Sequence, residues 1–83
     1  MSIYDKFITK EDLVFDIGAN IGDKAALFVE LTGPKGLVVA VEPQRICIDY
    51  LKERFNNLEL MVVGHAVGQS AGYGVIRRSK DLS

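Results

Sequence analysis

The sequence contains no tryptophan, one cysteine and one histidine among 83 residues. A lone Cys47 excludes an internal disulfide framework and fits a reducing compartment. Cys47 and His65 together fall short of the three or four ligands of a protein-only zinc site. No apolar run approaches the ~20 residues needed to span a bilayer. Met1 to Lys6 carries charges where a signal peptide keeps its apolar stretch. The formal net charge of −1 gives no electrostatic reason to expect nucleic acid or an anionic membrane. A soluble, cytoplasmic protein is the expectation.

Length is also in short supply. The chain lies below the usual ~100–150-residue domain and has room for one small core, marginally stable without a partner. No repeat or low-complexity segment is visible. What is present is an ordinary globular balance, 48% hydrophobic and 25% charged.

Residues 1–12 read as a lead-in with room for a short helix. Leu13-Val14-Phe15-Asp16-Ile17 is a short apolar run closed by glycine, a buried strand. Gly18-Ala19-Asn20-Ile21-Gly22 is a glycine-punctuated turn. A helix follows to about Leu31, with Ile21, Ala25, Phe28 and Val29 on one face. Thr32-Gly33-Pro34-Lys35-Gly36 ends it. Leu37 to Val41, apolar throughout, is a second strand buried on both faces.

Pro43 suits the first turn of a second helix, whose face is traced by Ile46, Cys47, Tyr50, Leu51, Arg54 and Phe55. Asn56-Asn57 ends that helix, and Leu58 to Val63 is a third strand. Beyond Gly64 the chain is glycine-rich, with a short strand around Tyr73 to Arg77 and a polar tail, 78–83.

Alternating strands and helices imply a parallel sheet with right-handed crossovers. The fold class is therefore α/β: a Rossmann-like parallel sheet, one βαβαβ half of a doubly wound domain over residues 13–77. The other half is missing, so the chain reads as truncated. One edge of Leu13 to Ile17 would then stay unpaired and invite self-association.

Ligands in such sheets bind beyond the carboxyl ends of the strands. Three features converge there. Gly18 and Gly22 allow a tight turn and close backbone approach, and the following helix start can receive an anionic group such as a carboxylate. Asp16 adds negative charge for a cationic partner. Glu42 ends the second strand, 24 positions beyond Gly18, close to the ~20-residue offset of an acid that holds a ribose diol. Gly64-His65-Ala66-Val67-Gly68, after the third strand, would flank a base with backbone groups and small side chains.

Val14-Phe15-Asp16-Ile17-Gly18-Ala19-Asn20-Ile21-Gly22 resembles the first motif of class I S-adenosylmethionine-dependent methyltransferases, in the form typical of the FkbM family. Val39-Ala40-Val41-Glu42-Pro43 resembles that family's second motif, and Ala66-Val67-Gly68 its third stretch. The resemblance covers roughly residues 10–77. Asn20 stands where the generic pattern has a glycine, as is usual in the FkbM-like form. His65 stands near where many methyltransferases carry an adenine-contacting acid.

The resemblance implies S-adenosylmethionine as cofactor and a small-molecule acceptor, a hydroxyl of a sugar or secondary metabolite. It implies that Asp16, Gly18, Ala19, Asn20 and Gly22 hold the methionine part, that Glu42 with Pro43 holds the ribose, and that Ala66 flanks the adenine. No nucleophile–base pair is visible in this half.

Plainer readings stand beside these. Asp16 could be a helix-start acid satisfied by backbone N–H groups, and Glu42 a solvated strand end. Cys47 reads as an apolar filler and His65 as a loop residue. Arg77, Arg78 and Lys80 read as a solvated face. Two other functions compete. An NAD-type oxidoreductase fragment is disfavoured because the turn is not G-x-G-x-x-G. A non-catalytic truncated module is the other.

Overall fold

The computed structural model describes residues 3–66 and 71–77. A 3-10 turn, Ile3–Lys6, leads into β1 (Leu13–Ile17), α1 (Asp23–Thr32), β2 (Leu37–Glu42), α2 (Arg45–Arg54), β3 (Leu60–Gly64) and β4 (Gly72–Ile76). The strands form one sheet in the order β3-β2-β1-β4. β1 pairs with β2, and β2 with β3, in parallel, whereas β4 runs antiparallel to β1.

The sheet is therefore mixed, not all-parallel, and the β1 edge expected to stand open is closed by β4. Only seven residues, 65–71, join β3 to β4. A parallel crossover needs a dozen or more. The chain leaves β3 at the carboxyl end of the sheet, so the next strand returns antiparallel, and it does so beside β1. In doing so it satisfies the backbone groups of β1 that would otherwise template another chain.

One face of the sheet carries the core. Val14, Val38, Ala40 and Leu60 point towards the helices and cluster with Ile8, Ala19, Ala25, Phe28 and Leu51. Phe28, Ala25 and Leu51 are fully buried, each large one contributing ~1.5–3 kcal/mol through the area it removes from water. At the end of α1, the Thr32 hydroxyl donates to the Phe28 carbonyl at 2.9 Å. Gly33 then leaves the helix at φ +73°, its N–H still donating to Val29 O.

Details of the helices differ from the sequence reading. Ile21 lies in the turn before α1 and is exposed. α2 begins at Arg45 behind a Gln44 cap, so Pro43 precedes the helix and is not in its first turn. Of the expected α2 face, Leu51 is buried and Phe55 packs on the core, while Ile46 and Tyr50 are exposed. The physical reason is that α2 sits towards the β3 margin of the sheet and shields only one narrow stripe.

Arg77 lies at the surface, as expected, its side chain 54% exposed, and it is paired as well. Its guanidinium donates to both oxygens of buried Asp12, at 2.9 and 2.8 Å, and to the Phe7 carbonyl. Arg78, Lys80, Val67 and Gly68 lie outside the described residues. Among the described residues no helix is long and apolar enough to cross a membrane.

Candidate functional site

The turn from Asp16 to Gly22 hangs from the carboxyl end of β2. Gly18 N–H and Ala19 N–H both donate to Val41 O, at 2.8 and 3.3 Å. Three of its residues are left-handed: Gly18 at φ +75°, Asn20 at +54° and Gly22 at +94°. Glycine takes this conformation freely, and asparagine is one of the few other residues that tolerates it.

The two glycines also meet close neighbours. A Cβ at Gly22 would stand 2.7 Å from Leu51 Cδ2 and from Phe55 Cε2, and one at Gly18 would stand 3.0 Å from Ala71 Cβ. The turn is thus wedged between α2 and the chain entering β4.

Glu42 holds this turn in place. Its Oε1 accepts from Asn20 N–H at 2.9 Å and its Oε2 from Gln44 N–H at 3.1 Å. The side chain is 2% exposed. One carboxylate thereby ties the loop after β1 to the cap of α2. It is not the solvated strand-end acid of the plainer reading.

Asp16, one residue from the end of β1, points to the helix side and is 3% exposed. Its Oδ2 has no hydrogen-bond partner among the described residues, so it is no helix-start acid quenched on both oxygens. Burial pushes the carboxyl up to about 6, with Lys24 pulling it down and the Glu42 charge adding to the rise. A buried carboxylate with an unused oxygen is a costly arrangement that lacks an internal explanation.

Asp16 helps line a cleft of ≈ 380 Å³, together with residues Gly18 to Lys24 and the rings of Tyr4, Phe28 and Tyr73. The three rings form one cluster, with centroids 5.2 Å apart for Tyr4–Phe28 and Tyr4–Tyr73, and 5.4 Å for Phe28–Tyr73. At its mouth α1 begins without a side-chain cap. Its first N–H groups take no side-chain cap, and the acid of its first turn, Asp23, is paired with Arg54 at 3.1 Å.

Of the residues singled out in the sequence, the cleft gathers Asp16, Gly18, Ala19, Asn20 and Gly22. Glu42 stands behind the turn. Pro43 and Ala66 are exposed and lie outside the lining. His65 reaches the site only through its backbone, its N–H donating to Glu42 O at 3.2 Å.

The aromatic wall was not foreseen. Tyr4 and Tyr73 stand at opposite ends of the chain, and only the alternation of Tyr73 and Val75 against Gly72 and Gly74 hinted at an inward face. Among the described residues no group of three or more His, Cys, Asp or Glu side chains could hold a metal ion. No protein-family model, curated protein or solved structure matches the chain.

Proposed function

We propose that this cleft binds S-adenosylmethionine and that the chain is the cofactor-binding half of an FkbM-like O-methyltransferase. The observation that carries the reading is the buried Asp16 carboxylate, with Oδ2 unpartnered, in a cleft beside an uncapped helix start. Such a site offers an unpartnered carboxylate oxygen at its base, with Lys24 acting on it only through space, and backbone N–H groups at its mouth. A zwitterionic amino-acid end answers both, and the aromatic wall adds a cation-compatible surface. The cleft volume of ≈ 380 Å³ falls within the ~300–1,000 Å³ of ligand pockets.

S-adenosylmethionine, when bound, supplies an electrophilic methyl group. The part of this chain is to hold and orient. Asp16 gives the ligand cation a counter-charge in a dry setting, where the attraction is strongest. The N–H groups at the start of α1 take the carboxylate. Glu42, from behind the turn, keeps Asn20 in its left-handed pose. The acceptor, a hydroxyl of a sugar or secondary metabolite, follows from the family resemblance.

Calorimetric titration with S-adenosylhomocysteine and S-adenosylmethionine tests the reading, with NAD as control. One ligand per chain is expected, with NAD far weaker. Asp16→Asn should weaken S-adenosylmethionine at least about 10-fold, or ~1.4 kcal/mol, while the chain stays folded. Tighter binding of NAD, or no loss in Asp16→Asn, refutes it.

A further inference from the structure

The aromatic wall of the cleft is assembled from three separate parts of the chain. Phe28 belongs to α1 and is fully buried in the core. Tyr4 comes from the 3-10 turn Ile3–Lys6, none of whose residues is buried, and Tyr73 comes from β4. Tyr4 meets both other rings edge-on, at interplanar angles of 80° and 81°. The wall therefore has one fixed member and two whose places depend on how their segments are held. Of these segments, β4 has little packing of its own. Val75 is its one residue that is not exposed, and Gly72 and Gly74 have no neighbour within 4 Å of where a Cβ would stand. Its register sets Tyr73 beside Asp16, and directly paired residues point to the same side of a sheet.

The guanidinium just past β4 ties the two segments to each other. Arg77 donates to Phe7 O at 2.8 Å and to the two Asp12 oxygens at 2.9 and 2.8 Å. Phe7 N–H and Ile8 N–H in turn donate to Tyr4 O, at 3.0 and 2.9 Å, and Ile8 is part of the core. One residue, Phe7, thus links the guanidinium to the backbone of Tyr4, while Tyr73 lies on the same strand that Arg77 ends. Arg77 itself is not among the residues lining the cleft. Any action it has on a ligand passes through the wall.

We propose that Arg77 is a positioning residue for the ligand cleft: its clasp on Phe7 and Asp12 holds Tyr4 and Tyr73 against Phe28 and so sets the affinity of the site. The proposal rests on the reading that the cleft binds S-adenosylmethionine. A wall already in place spares the ligand the cost of ordering it, and aromatic faces suit a cationic group. Arginine is the residue for this task. Its planar fork reaches acceptors on Phe7 and Asp12 together, which the point charge of a lysine does not reproduce. The Asp12 side chain is 1% exposed, so the clasp is anchored in the protein and not in solvent. Coupling between two sites is reciprocal. A ligand that needs the wall favours the clasped state, and its binding should slow amide exchange in β4.

Near-ultraviolet circular dichroism reads the wall without any ligand. The chain has no tryptophan and three tyrosines; Tyr50 is exposed, while Tyr4 and Tyr73 pack on each other. Arg77→Ala should lose most of the tyrosine band and keep its far-ultraviolet spectrum. Calorimetric titration with S-adenosylhomocysteine should then show binding weaker by roughly 3- to 30-fold, with Arg77→Lys in between. Val38→Ala is the control. It opens the core at the amino end of β2, away from the cleft lining, and should lower stability with the affinity and the tyrosine band unchanged. Should Arg77→Ala not fold, Arg77→Lys carries the comparison. A tyrosine band and an affinity kept in both Arg77 variants overturn the proposal, as does an equal loss of affinity in Val38→Ala. If the wild-type chain binds neither S-adenosylhomocysteine nor S-adenosylmethionine, the cofactor reading fails instead, and the tyrosine band still decides whether Arg77 positions the wall.

Discussion

Two aspartates of this small protein have opposite consequences for pH. Burial raises the Asp16 carboxyl from 3.8 to about 6, so the folded state holds that proton more tightly than the unfolded chain does. Its contribution to stability is complete below pH 3.8 and is lost as pH rises through about 6. Asp16→Asn removes the ionisation but leaves a buried amide in need of a partner. Urea unfolding should show the variant more stable than wild type by ~1–2 kcal/mol at pH 7.5, with the gain vanishing near pH 4. An equal gain at both values would show that the carboxylate is not strained by its surroundings. Asp12 works the other way. The Arg77 guanidinium, with Thr9, holds it below the usual carboxylate range, so its contribution is present above pH 3.8 and lost as pH falls through the lowered value.

At the scale of elements, the tie through Glu42 organises the candidate site. It joins the loop after β1 to the start of α2 by two backbone N–H groups. Glu42→Gln keeps the shape but offers only one acceptor oxygen, so one buried N–H faces an amide NH₂ instead. A loss of about 1–3 kcal/mol in denaturant unfolding is expected, with faster hydrogen exchange at Asn20 or Gln44. Unchanged stability would mean that the two loops hold their positions without it.

The elements also show what a sequence can disclose. Strands β1 and β2 were legible because short apolar runs closed by glycine or by an acid–proline pair leave few alternatives. The left-handed turn was legible in the spacing of Gly18 and Gly22. The direction of β4 was not, since it depends on how far seven residues reach and not on the composition of Gly72 to Ile76. Nor was the state of Glu42: nothing in its neighbours along the chain shows that Asn20 N–H arrives from 22 positions away.

For the whole molecule, stability rests on holding a returning strand against the first one. The Arg77–Asp12 pair clasps the end of β4 to the lead-in, and Tyr73 packs against both Tyr4 and Phe28. Arg77→Ala leaves a buried carboxylate with only Thr9 as partner, a costly outcome wherever water is excluded. The melting temperature should fall, and amide exchange should rise across β4 and the facing side of β1 before it rises in β2. The double variant Arg77→Ala, Asp12→Asn should recover part of the loss, because the two groups act as one. Full additivity of the two single variants would deny the clasp.

An antiparallel ribbon laid against the first strand works as a full stop on that side of the sheet. Another parallel strand can join beside Leu13–Ile17 only after Gly72–Ile76 has peeled away. Peeling would carry off Tyr73, unfasten Arg77 and open the floor around Asp16 in the same movement. Enlarging the sheet beside β1 and reshaping the candidate cleft are, in this architecture, a single event.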